Sequence, residues 1–270
     1  MKQIGFWDGT EPFKITGKVR LIELFAGIGS QAKALERLGV DFEHYRVCEF
    51  DRFAIQSYNA IHGTDFPVSD ITQLKGADLG IVETDKYTYI MTYSFPCQDL
   101  SKAGKQAGMG KGTRSGLLWE VERLLNETDN LPQVLLMENV PDVIGTKFMP
   151  DFAKWFEYLE SRGYKNYYQV LNAKDYGIPQ NRERCFMVSL LGDYYYDFPE
   201  PIPLELRLKD MLEQEVDEKY YLSDKAVEKI LHSDFQLCER LQRASVCNTV
   251  RTSGRGSIDR HSWDLVLEEK

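Results

Sequence analysis

The chain has 270 residues, with 33 Lys+Arg against 42 Asp+Glu and a formal net charge of −9. An apolar fraction of 43% and a charged fraction of 28% exclude wholesale disorder, and no stretch approaches the ~18 apolar residues of a membrane span. The acidic balance alone disfavours a nucleic-acid partner, because phosphate contacts draw on Lys and Arg.

The N-terminus, Met1-Lys2-Gln3-Ile4-Gly5-Phe6-Trp7-Asp8-Gly9, has an early acid and no apolar core, unlike a secretory signal. Val19-Arg20-Leu21-Ile22-Glu23-Leu24-Phe25 predicts a strand that ends at the glycine loop Ala26-Gly27-Ile28-Gly29-Ser30. Gln31 to Leu38 predicts a helix stopped by Gly39. Tyr45 to Glu49 predicts a second strand, and Asp51 to His62 a second helix stopped by Gly63. β-rich runs follow at Tyr87 to Ser94 and Val134 to Met137. Asp151 to Arg162 carries Phe152, Trp155, Phe156 and Leu159 at helical spacing and stops at Gly163. Cys185 to Leu191 predicts a last buried strand. Repeated strand and helix imply an α/β fold, with a mostly parallel sheet flanked by helices. On such sheets ligands bind outside the carboxyl ends of the strands.

Composition changes near Gly192. Residues 193–228 hold 11 acids against 4 bases, whereas residues 239–261 hold 5 arginines against 2 acids. A domain boundary is therefore expected around 192–200. Five widely spaced cysteines with no C-x-x-C pair fit neither a disulfide framework nor a zinc ribbon, as in a cytoplasmic protein.

Gly27 and Gly29 end the first strand, where glycine lets the backbone approach a ligand closely. The third glycine of the dinucleotide fingerprint is missing, so a small nucleoside-bearing ligand fits better than a pyrophosphate. Glu49 lies 20 residues after Gly29, about where an acid accepts ribose hydroxyls. Phe50 is placed to lie against an adenine face, and Asp70-Ile71 to contact a purine edge. A tight turn and a strand-end acid explain each of these residues equally well when taken singly.

Tyr93-Ser94-Phe95-Pro96-Cys97-Gln98 follows the strongest apolar strand. Cys97 lies just past the strand end, which is not a core position, whereas Cys48 and Cys185 fit buried structural cysteines. Residues 101–115 hold Lys102, Lys105, Lys111 and Arg114 and no acid. Such a cationic, glycine-rich loop lowers a thiol pKa and suits closure over an anionic polymer. Glu138 ends another central strand, where a carboxyl group beside apolar walls can donate a proton. Arg182 and Arg184 alternate in Gln180-Asn181-Arg182-Glu183-Arg184, which points them to one face, toward a carbonyl or toward Glu138.

Phe25-Ala26-Gly27-Ile28-Gly29, Phe95-Pro96-Cys97-Gln98, Glu138-Asn139-Val140 and Gln180-Asn181-Arg182-Glu183-Arg184, in this order, resemble the DNA (cytosine-5)-methyltransferases of bacteria and phages. The resemblance covers residues 19–191. It implies a Rossmann-like, S-adenosylmethionine-dependent enzyme that flips a cytosine out of duplex DNA. It implies that Phe25, Gly27, Gly29, Glu49, Phe50, Asp70, Ile71 and Pro96 hold the cofactor. Cys97 is then the nucleophile toward C6, Glu138 holds the N3/N4 edge, and Arg184 contacts O2 with support from Arg182. Gln98, Ser101, Lys102, Lys105 and Arg114 are implied DNA contacts. Residues 1–192 form the catalytic domain on this reading, and 193–270 a connecting segment and partial target-recognition region.

In one respect the chain departs from the family pattern. Members carry a Gly-Asn pair and a terminal helix after the recognition region, and this chain has no Gly-Asn pair. The expectation is a fragment, or a subunit that needs a second polypeptide to supply those segments. A tRNA cytosine-5 methyltransferase of the same fold is the other alternative.

Overall fold

The computed structural model describes residues 11–96, 115–213, 215–221, 223–225, 228 and 246–248. The chain divides into two compact units, one of Met1–Val170 with Arg184–Phe198, the other of Leu171–Glu183 with Pro199–Lys270.

The first unit is built on a six-stranded sheet. Its strands are β1 (Lys18–Leu24), β2 (Phe42–Cys48), β3 (Tyr87–Tyr93), β4 (Val134–Asn139), β5 (Tyr164–Asn172) and β6 (Glu183–Leu191). The order across the sheet is β2-β1-β3-β4-β6-β5. β1 pairs in parallel with β2 and β3, and β3 with β4. β6 runs antiparallel to β4. The mostly parallel sheet is as expected, but its last predicted strand enters reversed. The edge strand β5 and one helix have no counterpart in the sequence reading.

Side-chain alternation sorts the core onto two faces. Ile22 and Leu24 of β1 join Met91, Tyr93, Leu135 and Met137 on one face. That face is covered by α3 (Leu118–Glu127) and α4 (Met149–Ser161) through Leu118, Val121, Leu124, Phe152, Trp155 and Leu159. Val19 and Leu21 face the other way and pack with Ala32 of α1 (Ser30–Arg37) and with Ile90. Val47 packs there with Ile55 and Tyr58 of α2 (Arg52–His62). Strand β3 is buried along nearly its whole length, as a central strand covered on both faces must be.

Local chemistry fixes the helix ends. Asp51 caps α2 by accepting from the backbone N–H of Phe53 (2.7 Å) and Ala54 (3.4 Å), and Gly63 closes it at φ 65°. α1 has no side-chain cap, because Gly29 takes its N-cap position at φ 82°. The buried carboxylate of Glu23 accepts from Ala32 N–H instead (3.3 Å). Among the described residues no helix is long and apolar enough to cross a membrane.

In the second unit the Asn172 side chain donates to Asn181 Oδ1 (2.7 Å). Its own Oδ1 accepts from Arg182 N–H (3.0 Å), and Ala173 N–H donates to the Arg182 carbonyl (3.0 Å). Gln180–Asn181 pairs in parallel with Cys247–Asn248, and Tyr176 bridges to Ile202.

Candidate active site

The carboxyl ends of β1, β2, β3 and β4 lie along one edge of the sheet, because the four strands run parallel. β6 is antiparallel, so its first residues reach that same edge.

After β1 the chain turns through three left-handed residues, Phe25 (φ 59°), Gly27 (φ 58°) and Gly29 (φ 82°). A bulky aromatic at positive φ is uncommon, and such backbone strain gathers at binding sites. The two glycines serve different ends. A Cβ on Gly29 would lie 2.3 Å from His62 Nε2 and 2.6 Å from Tyr58 Cε2, so the loop rests directly on α2. A Cβ on Gly27 would meet nothing within 4 Å. The space beside Gly27 is therefore open, although its backbone conformation is one that glycine favours.

Glu49 closes the loop from β2. Its Oε2 accepts from Gly27 N–H (2.8 Å) and its Oε1 from Asp51 N–H (2.7 Å). Glu49 thus shapes the glycine loop as well as presenting a carboxylate at the strand end. Phe50 beside it is 73% exposed. Asp70 caps a single helical turn, accepting from Thr72 N–H and Oγ1 (both 2.9 Å). The Ile71 side chain is buried in the core, and its carbonyl accepts from Arg123 Nη2 (3.0 Å). An open space at Gly27, an exposed aromatic face and a strand-end carboxylate together fit a nucleoside-bearing cofactor such as S-adenosylmethionine.

The loop after β3 is held at three successive residues. Gln31 Nε2 donates to Ser94 Oγ (3.0 Å), Asn139 Nδ2 to the Phe95 carbonyl (3.1 Å), and Ser115 Oγ to the Pro96 carbonyl (2.7 Å). Trp155 Nε1 donates to Tyr93 Oη one residue earlier (3.1 Å). This bracing delivers the chain to Cys97. Cys97, Gln98, Ser101, Lys102, Lys105 and Arg114 themselves lie outside the described residues.

Glu138 sits opposite Phe186 across the β4–β6 pair, and Asn139 opposite Cys185. Arg184 shares the parity of Phe186 and so falls on the Glu138 face. Arg184 Nε lies 2.8 Å from Glu138 Oε1, and both side chains are only partly exposed, 17% and 22%. Of the two expected arginines, Arg184 is placed in the first unit against Glu138, and Arg182 in the second unit beside Asn172. Burial, with Glu138 nearby, pushes the Cys185 thiol up to about 12. Burial pushes Cys48 up to about 11. Both match the structural role expected of them.

Sequence reasoning missed Asn139, Gln31 and Ser115. Asn139 carried a signal, a carboxamide at the end of an otherwise apolar strand, since a buried amide requires partners.

The profile of the C-5 cytosine-specific DNA methylase family matches residues 19–256. The chain belongs to this family of DNA cytosine-5 methyltransferases. It is 35% identical over 259 residues to the type II methyltransferase M2.ScrFI of Lactococcus lactis subsp. cremoris, covering 77% of this chain and 71% of that protein. It is 39% identical over 207 residues to the type II methyltransferase M.NlaX of Neisseria lactamica, covering 76% and 63%. It is 36% identical over 265 residues to the orphan methyltransferase M.SssI of Spiroplasma monobiae, covering 77% and 68%. Matches therefore span roughly two thirds of these relatives. The fold is also that of the S. pombe Dnmt2 methyltransferase, with a TM-score of 0.62 at 23% identity over 80% of this chain and 66% of that one. A putative DNA modification methyltransferase from an E. coli prophage gives 0.57 at 24% identity over 76% and 56%.

Proposed function

We propose that this chain transfers a methyl group from S-adenosylmethionine to C5 of a cytosine flipped out of duplex DNA. The observation that carries this reading is the Glu138–Arg184 pair, set at the sheet edge that also holds the glycine loop and the braced approach to Cys97.

The cofactor supplies an electrophilic methyl group on a sulfonium centre. Gly27 gives it room, Glu49 accepts its ribose hydroxyls, and Phe50 lies against its adenine, with Phe25, Gly29, Asp70, Ile71 and Pro96 completing the pocket. Cys97 adds as thiolate to C6 of the cytosine, while Glu138 gives a proton to N3 and accepts from the N4 amino group, which neutralises the ring. Arg184 holds O2 and keeps Glu138 aimed, and Arg182 has a supporting role. Electron density pushed onto C5 lets that carbon take the methyl group. A base then removes the C5 proton, the C5–C6 double bond re-forms, and Cys97 leaves. Covalent addition splits one hard step into easier ones. Gln98, Ser101, Lys102, Lys105 and Arg114 contact the DNA and close over the base. The setting is the cytoplasm of a bacterial or phage-infected cell.

The test is Cys97→Ala on the purified chain, assayed on mixed-sequence duplex DNA. Methyl incorporation is expected to vanish while S-adenosylmethionine still binds. Incorporation that survives the substitution would sink the covalent route.

A further inference from the structure

Beneath the glycine loop lies a group of polar side chains that the reaction above does not use. Glu36 is in the last turn of α1, His44 is in β2, and His62 is the last residue of α2. One ring nitrogen of each histidine and one Glu36 oxygen all lie within 4.8 Å of one another. The two rings are 5.1 Å apart, tilted by 49°.

Hydrogen bonds assign the lone pairs. Tyr58 Oη donates its only proton to Glu23 Oε2 (2.5 Å), so it accepts from His44 Nδ1 (2.7 Å). The lone pair of a neutral His44 is then on Nε2. His62 Nε2 lies 3.2 Å from the Ile28 carbonyl, which can only accept. Its Nδ1 lies 2.8 Å from Glu36 Oε1, where a neutral His62 presents a lone pair and a protonated one an N–H. The contact holds a cation, either the proton of an imidazolium or a metal ion, and the His62 side chain is fully buried.

We propose that Glu36, His44 and His62 bind a divalent transition-metal ion of the zinc class. Two imidazoles and one carboxylate form the ligand set of many sites of that class, with positions left for water. The outer partners are already in place. Ile28 holds His62, Tyr58 with Glu23 holds His44, and Lys33 holds the other Glu36 oxygen (2.6 Å). The carboxyl ends of α1 and α2 converge here, and their dipoles favour a cation. Ligand atoms about 2.0–2.2 Å from a tetrahedral ion stand about 3.3 Å apart, so Glu36 and His62 need separate by only about half an ångström. A bound ion would tie α1, β2 and α2 to the carbonyl of Ile28 within the glycine loop.

The test uses the untagged full chain stripped with chelator. Zinc is titrated calorimetrically, and cobalt by its visible spectrum. One equivalent is expected, with a cobalt spectrum of nitrogen and oxygen ligands. Glu36→Gln, on a partly exposed helical position, and His44→Gln should each weaken binding at least about 10–100-fold, as loss of even an outer partner does. Their metal-free thermal midpoints report whether they fold. Failure to bind, binding unchanged in both variants, or a thiolate charge-transfer band from cysteine ligation would each overturn the proposal. A plain imidazolium–carboxylate pair would give the first of these results.

Discussion

Asn139 donates its side-chain amide to the carbonyl of Phe95 across 3.1 Å, out of contact with solvent. The same carboxamide accepts from Val140 N–H (2.8 Å), so one side chain ties the end of β4 to the loop leading into Cys97. Asn139→Ala strands a buried carbonyl and an N–H together. The expected loss is about 1–3 kcal/mol of stability. Methyl transfer should fall further than cofactor affinity, because the nucleophile's approach is what moves. Urea unfolding with parallel transfer and binding assays checks both; equal losses in the two functions count against the bracing role.

Glu138 and Arg184 separate function from stability. Both are partly solvated, so breaking their pair should shift stability by no more than about 1 kcal/mol. Glu138→Gln removes the proton donor and should lower the transfer rate by about 100-fold or more. Arg184→Lys keeps the charge but loses the planar fork, and should lower the rate while leaving the melting temperature nearly unchanged. Single-turnover rates on duplex DNA give the comparison.

Alanine at the two loop glycines should act through different routes. Gly29→Ala drives a Cβ into His62 and Tyr58 and takes a strained φ, so it should unfold more readily with no ligand present. Gly27→Ala carries only the backbone term, roughly 1–2 kcal/mol, and its Cβ occupies the open space assigned to the cofactor. Its main effect should be weaker S-adenosylmethionine binding. Thermal midpoints and calorimetric affinities for the pair test this; a Gly27→Ala chain that binds normally would remove the cofactor from that space.

Cys48 and Cys185 should resist alkylation. Burial pushes their thiols up to about 11 and about 12, so at pH 8 nearly all of each remains the unreactive neutral form. The thiolate appears only as pH rises toward those values. Mass spectrometry after iodoacetamide treatment should find both unmodified in the native chain and both modified in urea.

The sequence carried the glycine loop, the second strand and helix, and the strand end at Glu138, because each joins an apolar run to a turn or charged residue within a few positions. The direction of β6 was not legible, since an apolar run reads the same in either sense and its pairing with β4 joins residues some fifty positions apart. β5 was missed because an edge strand is half-buried and its polar and aromatic residues show no clean alternation. α3 has no side-chain N-cap to announce its start. Gly29 reads as a ligand contact, and the sequence carries no sign that Tyr58 and His62, about thirty residues away, also require its missing side chain.

The reversed strand has a consequence for how the site can vary. Arg184 reaches Glu138 through the ladder between β4 and β6, and the connection that precedes it, residues 173–182, has no part in setting that distance. With its neck closed by Asn172 and Arg182, such a loop can lengthen or shorten while the ladder keeps its register. Length can thus vary in this stretch without loosening the pair that follows it.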